Sequence, residues 1–299
     1  MEVILSSPRG FCAGVVRAIE VVEICLQRFG APVYVKHQIV HNPHVVADLE
    51  RKGAITVETI EEIPEGALVV FSAHGSAPED FEKADARNLH VIDAVCPLVT
   101  RVHNEAKKYH RDGRKVLLVG HRGHQEVRGT MGQVEMTLVD DNAGNQLPSW
   151  DSGEKVAVLT QTTLSVGDTA HAIDSIRDRF PDAVVRNDIC YATTNRQDAV
   201  TEMAVMVDVV LVIGAQNSSN CNRLREVAAS KGLPAYLING PEEIDPAWLL
   251  GMEKVGITSG ASTPEVLVES VIQALAPERV TMLSGVEEDV AFSLPKELR

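Results

Sequence analysis

Short β-branched apolar runs recur along the chain, and most are followed by a polar loop and then by a segment with helical periodicity. We predict strands over the runs 3–5, 33–35, 67–71, 90–95, 115–119, 156–159, 209–213, 235–238 and 254–257. Amphipathic stripes with a period near 3.6 predict helices over 15–29, 101–112, 166–180, 195–207 and 221–231. This alternation indicates an α/β fold with mainly parallel sheets.

Length and charge narrow the class of protein. The chain has 299 residues with 44% hydrophobic content, which is enough for two or three domains. Its formal net charge of -14 argues against a nucleic-acid surface, which needs clustered Lys and Arg. The opening MEVIL lacks a basic region, and no run reaches the roughly 18 apolar residues of a membrane span. We therefore expect a cytoplasmic protein that binds neither nucleic acid nor a membrane.

Three of the five cysteines follow a pattern. The odd count and the lack of a Cys-x-x-Cys pair do not support a disulfide framework, a zinc ribbon or a redox dithiol. Cys12, Cys96 and Cys190 lie 84 and then 94 residues apart, and each closes or follows a strand and precedes a helical segment. These cysteines divide the chain into three α/β units of similar length. Convergence of the strand ends would bring three thiolates together.

The other two cysteines have simpler interpretations. Cys25 falls on the flank of the apolar stripe of 15–29, so we expect a small buried hydrophobic residue. Cys221 lies beside the NSSN segment near a helix start, where packing or capping is the favoured role. We assign no chemistry to either thiol.

The loops after the strands carry many polar side chains. In parallel α/β sheets, ligands bind outside the carboxyl ends of the strands. The loops there read SAHGSAP (72–78), GHRGHQEVRGTMGQ (120–133), TQTTLSV (160–166), GAQNSSNCNRL (214–224) and TSGASTP (258–264). One such loop is often only a turn or a helix cap. Five loops at one edge, rich in hydroxyls, amides and imidazoles, favour a phosphate or diphosphate ligand held without a basic patch.

Three thiolates in a reducing compartment suggest a metal or a cluster. Zinc bound by three Cys and one His is one possibility, although structural zinc usually takes closely paired ligands. A 4Fe-4S cluster normally takes four thiolates, so three would leave one iron open for a substrate. From the residues alone, both possibilities remain open.

Ten segments together resemble one known family, the 4-hydroxy-3-methylbut-2-enyl diphosphate reductases of the non-mevalonate isoprenoid pathway, along nearly the whole chain. The resemblance is carried by PRGFCAGV (8–15), VHN (40–42), SAHG (72–75), DAVCPLVTRVH (93–103), GHRGHQEVRGTMGQ, LTQTTLSV (159–166), DICYATTNRQ (188–197), NSSN (217–220), TSGAS (258–262) and VAFSLPKELR (290–299). It implies three similar α/β domains in a pseudo-threefold trefoil around a central cavity. We place domain 1 at 1–96 plus the tail 280–299, domain 2 at 97–190 and domain 3 at 191–279.

The resemblance also implies a site. A 4Fe-4S cluster would be held by Cys12, Cys96 and Cys190, and Glu126 with Thr162 would act at the substrate hydroxyl. The substrate diphosphate would be bound by His41, His74, His124, Ser218, Ser219, Asn220 and Ser262, with Thr162 and Thr163 also at the substrate. His37, His44 and His121 are expected only to shape these loops. Electrons would come from a flavodoxin, a ferredoxin or an equivalent, because no Gly-x-Gly-x-x-Gly follows a strand.

Two departures from the family pattern are Gln125, where proline is usual, and Cys221, where a small hydroxylated residue is common.

The residues also allow two alternative functions. A zinc hydrolase of a phosphorylated small molecule would use His121, His124 and Glu126, although the glycines around them argue against the metalloprotease helix. A non-catalytic diphosphate-binding module would need the hydroxyl loops but not three aligned thiols.

Overall fold

The computed structural model describes residues 1–140 and 146–299. Its strands are β1 Glu2–Leu5, β2 Val33–Lys36, β3 Ala54–Val57, β4 Leu68–Phe71, β5 His90–Asp93, β6 Lys115–Gly120, β7 Thr137–Asp140, β8 Val156–Thr160, β9 Val184–Val185, β10 Val209–Ile213, β11 Ala235–Ile238, β12 Lys254–Ser259 and β13 Arg279–Met282. Its α-helices are α1 Ala13–Phe29, α2 Pro43–Arg51, α3 Pro78–Ala86, α4 Pro97–Arg111, α5 Gln125–Met131, α6 Val166–Arg179, α7 Tyr191–Ala204, α8 Ser219–Ser230 and α9 Glu265–Leu275.

The strands form three parallel sheets with a common order. The sheets run β3-β2-β4-β5, β7-β6-β8-β9 and β11-β10-β12-β1-β13. If β1 is counted as the fourth strand of the last sheet, each has the order second, first, third, fourth. We call these sets repeat 1 (α1 with β2–β5), repeat 2 (α4 with β6–β9) and repeat 3 (α7 with β10–β12 and β1). The expected α/β class with three similar parts is confirmed.

The pairing of β1 differs from the predicted division of the chain. Residues 1–96 were expected to form one domain, yet β1 pairs in parallel with β12 and with β13 of the last sheet. In that sheet β1 lies between β12 and β13, so its backbone is paired on both sides. Boundaries after Cys96 and Cys190 stay a prediction.

The chain divides into two compact units. Unit 1 holds Met1–Ala13, His41–Val45 and Cys190–Ala291, and unit 2 holds Gly14–Val40, Val46–Ile189 and Phe292–Arg299. The sheet of unit 1 is covered by apolar clusters that include Leu211 in one and Val212 in the other. In unit 2, the β6–β9 sheet likewise carries two clusters. Strands buried on both faces explain the continuous apolar runs in the sequence.

The predicted elements are found, with a consistent error at the helix starts. All nine predicted strands and all five predicted helices are present. Four of the five helices begin two to four residues earlier than the predicted range. The sequence analysis missed β3, β7, β9 and β13 and the helices α2, α3, α5 and α9. Among the described residues, no helix is both long and apolar enough to span a bilayer.

Candidate active site

Glu126 and Thr162 form a buried pair in unit 2. Glu126 lies in the first turn of α5, and Thr162 lies in the loop after β8. The backbone N–H of Thr162 donates to Oε1 of Glu126 at 2.7 Å, and the Thr162 hydroxyl donates to Oε2 at 2.8 Å. The two residues are only 3% and 5% exposed. Both carboxyl oxygens of Glu126 are therefore held in a fixed orientation.

The surroundings of Glu126 favour its protonated form. Burial raises its pKa to about 7, the two hydrogen bonds from Thr162 oppose the rise, and the charge of Asp188 adds to it. A carboxyl that titrates near neutral pH can give and take a proton under physiological conditions. Since a hydroxyl both donates and accepts, a protonated Glu126 can donate to the oxygen of Thr162 while that hydroxyl passes its own proton outward.

The glycines around Glu126 do not prevent a helix, which corrects our expectation for this segment. Gly123 turns the chain with φ of +85°, and α5 begins two residues later. Within α5, a Cβ on Gly129 would lie 2.6 Å from the carbonyl oxygen of Gly75. Gly129 thus allows close packing of the helix on the SAHG loop. Gln125 takes the first helical position, where no intrahelical partner is required and proline is readily replaced.

His124 and His74 lie near each other beside this helix. His124 caps α5, with its Nδ1 accepting the N–H of Glu126 at 3.2 Å. In a neutral ring that bond places the proton on Nε2, which makes Nε2 a donor. The ring of His74 lies edge-on to that of His124, with centroids 6.0 Å apart, and its Nδ1 is 3.2 Å from the hydroxyl of Ser72. Two half-buried imidazoles can therefore act on one anion.

A glutamine joins the two loops of this site. The side-chain oxygen of Gln161 accepts the N–H of His121 at 3.0 Å, and its nitrogen donates to the hydroxyl of Thr163 at 2.9 Å. The sequence analysis missed Gln161, and it missed Asp188 as well. A Gln inside a strand-end TQTT segment was a usable signal, because a long amide at such a position can bridge neighbouring loops.

Ser218, Ser219 and Asn220 lie at the start of α8 in unit 1. The Ser218 hydroxyl caps the helix by accepting the N–H of Cys221 at 3.4 Å. Asn220 is 4% exposed, yet neither Nδ2 nor Oδ1 of its side chain has a hydrogen-bond partner within the described residues. A buried amide left without partners costs free energy, so this one indicates a place that a polar ligand completes.

Hydrogen bonds in another part of unit 1 connect the segments that contain His41, Ser262 and Cys12. The hydroxyl of Ser262 donates to the carbonyl oxygen of His41 at 3.0 Å. The N–H of Cys12 donates to the carbonyl oxygen of the neighbouring Ala261 at 3.1 Å. The structure thus divides the predicted substrate residues between the units: His74, His124, Glu126, Thr162 and Thr163 lie in unit 2, and His41, Ser218, Ser219, Asn220 and Ser262 lie in unit 1.

The three spaced cysteines share one local setting. Cys12 directly precedes α1, and Cys96 and Cys190 are the residues that begin α4 and α7. All three are half-buried, and none is in a disulfide. Each therefore lies beside the unpaired N–H groups of a helix start. Along the chain, each of the three follows the fourth strand of a repeat.

Cys25 and Cys221 differ from them, as predicted. Both are fully buried, and burial raises the pKa of each thiol to about 11. The sulfur of Cys221 fills a space beside Gly214 and Gly260, where a Cβ on either glycine would come within 2.3 Å of it. Cys221 therefore packs the strand-end loops of unit 1 together, and its departure from the family pattern has a structural role.

Two of the histidines expected only to shape loops have defined hydrogen-bond partners. His37 adopts a positive φ of 58° and contacts the carboxylate of Glu58 at 2.7 Å. The N–H of His44 donates to the side chain of Asn42 at 3.0 Å. In the described part of the chain, no three His, Cys, Asp or Glu side chains are gathered as a metal site. For the zinc hydrolase interpretation, Nδ1 of His124 and both oxygens of Glu126 already accept hydrogen bonds within the protein.

Parallel α/β sheets with a buried acid, paired imidazoles and an unpartnered amide in the strand-end loops define an α/β enzyme of small polar molecules. Comparison with known proteins gives the family. The model of the LytB protein family matches residues 3–276. This chain belongs to the LytB protein family.

Relatives agree with this assignment over their full length. A protein named 4-hydroxy-3-methylbut-2-enyl diphosphate reductase from Azoarcus sp. is 53% identical, covering 100% of this chain and 98% of its own. A protein named 4-hydroxy-3-methylbut-2-enyl diphosphate reductase 1 from Rhodopseudomonas palustris is 54% identical, with 98% of each chain covered. The solved structure of the E-1-hydroxy-2-methyl-but-2-enyl-4-diphosphate reductase from Plasmodium falciparum matches with a TM-score of 0.95 and 36% identity, covering 100% of this chain and 96% of that one.

Proposed function

We propose that this chain reduces 4-hydroxy-3-methylbut-2-enyl diphosphate to isopentenyl diphosphate and dimethylallyl diphosphate. The reaction consumes two electrons and two protons, and the allylic hydroxyl leaves as water. The observation that carries the proposal is the buried Glu126–Thr162 pair, whose carboxyl has a pKa of about 7 in a chain of the LytB family. Loss of hydroxide is slow unless its oxygen is protonated or bound to a Lewis acid, and a buried acid at neutral pH answers the first need.

Cys12, Cys96 and Cys190 are proposed to hold a 4Fe-4S cluster. Their position at helix starts and their partial exposure suit thiolates that must reach a metal, whereas the sealed Cys25 and Cys221 do not. Tyr191 links two of them within unit 1, because it follows Cys190 and its hydroxyl accepts the N–H of Ala13, next to Cys12, at 3.4 Å. When bound, the cluster would pass electrons to the substrate and supply a Lewis acid for its hydroxyl.

The substrate diphosphate is proposed to bind the two sets of polar residues in the strand-end loops. In unit 1 these are His41, Ser218, Ser219, Asn220 and Ser262, and in unit 2 they are His74 and His124, with Thr163 nearby. The amide of Asn220 has unused donor and acceptor atoms, and Nε2 of His124 is a donor. Binding of the charged end would orient the hydroxyl end and so convert binding free energy into correct placement.

Proton delivery is assigned to Glu126 acting through Thr162. The protonated carboxyl donates to the oxygen of Thr162, and the hydroxyl of Thr162 donates to the departing oxygen of the substrate. One proton leaves in the water, and the second is added to carbon at either end of the allylic system. Addition at one end gives isopentenyl diphosphate, and addition at the other gives dimethylallyl diphosphate.

The electrons are proposed to come from an external donor such as a flavodoxin or a ferredoxin. A reductase without a nucleotide-binding motif needs such a partner. We also propose the cytoplasm as the compartment, since five cysteines outside any disulfide suit a reducing environment.

The proposal is tested on anaerobically purified protein. We expect a brown sample with about four irons and four sulfides per chain. Cys12→Ser should lose iron and colour, while Cys25→Ser, the matched control on the following helix, should keep both. A colourless protein that carries zinc would support the hydrolase instead. A colourless, metal-free protein that binds inorganic diphosphate would support the binding module.

A further inference from the structure

An arginine recurs at nearly the same place after each of the three spaced cysteines. Arg17 lies five residues after Cys12, Arg101 five residues after Cys96, and Arg196 six residues after Cys190. Each arginine is on the helix that starts directly after its cysteine, namely α1, α4 and α7. The same spacing in three places indicates that the three arginines share a role.

Arg17 connects α1 to the segment before Cys96. Its Nη1 donates to the carbonyl oxygens of Ala94 at 3.1 Å and Val95 at 2.9 Å, and its Nε donates to that of Ser293 at 2.7 Å. The side chain is only 8% exposed. The guanidinium therefore binds the two residues that lead into Cys96 and also binds the C-terminal tail.

Arg196 connects α7 to the segment before Cys12. Its Nη2 donates to the carbonyl oxygen of Gly10 at 2.8 Å, and its Nη1 donates to that of Ala192 at 2.9 Å. Both nitrogens also bind the carboxylate of Glu288, at 2.9 to 3.2 Å. Arg196 is completely buried. The C-terminal tail therefore supplies a hydrogen-bond partner to both arginines, Ser293 to Arg17 and Glu288 to Arg196.

Arg101 makes the third connection, from α4 to the segment before Cys190. Its Nη2 lies 3.1 Å from Oδ1 of Asp188, whose side chain is fully buried while that of Arg101 is half exposed. Asp188 is fixed in turn by Thr160, whose hydroxyl accepts the N–H of Asp188 at 2.9 Å. This link is a single ion pair, in contrast to the several bonds of Arg17 and Arg196.

The three connections follow one rule. In each repeat, the arginine of the first helix binds the segment that follows the fourth strand, one or two residues before a cysteine. Helix α1, which starts after Cys12, binds the residues just before Cys96. Helix α4, which starts after Cys96, binds the segment just before Cys190. Helix α7, which starts after Cys190, binds the segment just before Cys12. The links therefore form a cycle through all three cysteines, although each bond lies inside one unit.

We propose that Arg17, Arg101 and Arg196 are positioning residues that set the backbone of the three cysteine segments for cluster binding. This inference rests on the proposed function, because it takes the three cysteines as the cluster ligands. Metal ligands must be held to within a few tenths of an ångström, and residues that orient them are a large part of the affinity. A guanidinium suits this task, since its several donors are fixed in one plane and can bind more than one backbone oxygen or carboxylate at a time.

The bonding predicts a graded result among the three sites. Arg17→Gln and Arg196→Gln remove several buried bonds, so iron release to an excess of chelator should become about 10- to 100-fold faster. Arg101→Gln removes one half-exposed ion pair and should give a smaller increase. Arg101→Lys keeps the charge opposite Asp188 and should behave as the parent, whereas Arg196→Lys cannot reproduce the bonds to both Gly10 and Glu288.

The experiment uses full-length chains reconstituted anaerobically with ferrous iron and sulfide. It measures iron per chain, the rate of iron release, the reduction potential of the cluster and the urea midpoint of the metal-free chain. Arg28→Gln on α1 and Arg111→Gln on α4 are matched controls, because both arginines are exposed on the same helices. The expected result is that iron release in Arg101→Gln is faster, relative to Arg111→Gln, than the change in its urea midpoint accounts for, with a shifted reduction potential.

Two outcomes contradict the inference and are distinguishable. If the parent takes up no iron, the proposed cluster is wrong and this inference is wrong with it. If the parent is loaded but all three glutamine variants release iron at the rate of the controls, or release it only in proportion to lost stability, the arginines have no positioning role while the cluster stands.

Discussion

The starts of helices α5 and α8 carry the two best-defined polar groups of the candidate site, and they are in opposite states. In α5, both carboxyl oxygens of Glu126 receive hydrogen bonds from Thr162, and His124 caps the helix. In α8, Ser218 caps the helix, but the buried amide of Asn220 has no partner among the described residues. One helix start is complete without a ligand, and the other is not.

The difference separates two tasks. A proton donor has to be oriented before the substrate arrives, so its hydrogen bonds are internal to the protein. A residue that recognises a ligand needs hydrogen-bond donors or acceptors that the protein itself does not use. These unpaired groups destabilise the ligand-free protein. We therefore propose that Glu126 in the α5 region serves the chemical step and that Asn220 in the α8 region serves recognition of the diphosphate.

The largest expected effect is on turnover in the α5 region. Glu126→Gln keeps the size and most bonds of the side chain but removes the transferable proton, so kcat should fall about 100- to 10,000-fold. Steady-state kinetics with a chemical reductant, together with iron content and diphosphate affinity, measure it. Glu135→Gln, at an exposed position just after α5, is the control. A fully active Glu126→Gln enzyme would remove Glu126 from this role.

The second effect is on the pH dependence of stability. Because burial raises the pKa of Glu126 to about 7, the folded chain keeps a proton that the unfolded chain releases above about pH 4.5. Stability from this group is fully present below that pH, falls as pH rises to about 7 and is constant above, for a loss of about 3 kcal/mol. Urea unfolding of the parent and of Glu126→Gln between pH 4.5 and 8 tests this. Parallel curves for the two chains would show that Glu126 does not titrate there.

The smallest expected effect concerns the unpaired side-chain amide of Asn220 in α8. Asn220→Leu replaces an unpartnered buried amide by an apolar side chain, which should raise the free energy of unfolding by about 1 kcal/mol. Its affinity for inorganic diphosphate, measured by calorimetry, should fall at least about 10-fold. In Asn222, two positions along α8, the amide donates to the carbonyls of Gln216 and Ser218. Asn222→Leu should therefore destabilise the chain, and equal shifts in both variants would contradict our interpretation.

Residue types in the strand-end loops located the polar groups from which the candidate site is proposed. The spacing of Cys12, Cys96 and Cys190 predicted three similar parts, and the common strand order agrees. The apolar runs located nine strands because parallel strands are buried on both faces and so read as continuous hydrophobic segments. The helix α5 was missed because Gly129 looked like a helix breaker. Only the approach of Gly75 shows that this glycine serves packing.

The sequence by itself determined which segments become strands, which thiols are distinct and which loops carry polar side chains. These depend on local periodicity and spacing, and both can be read along one chain. Tertiary structure alone decided that β1 completes the sheet of the last repeat and that Asn220 is buried without a partner. It also decided that Arg17, Arg101 and Arg196 each bind residues that directly precede another of the three spaced cysteines. Such facts depend on which distant segments meet, and burial and hydrogen bonding there are settled only when the chain has folded.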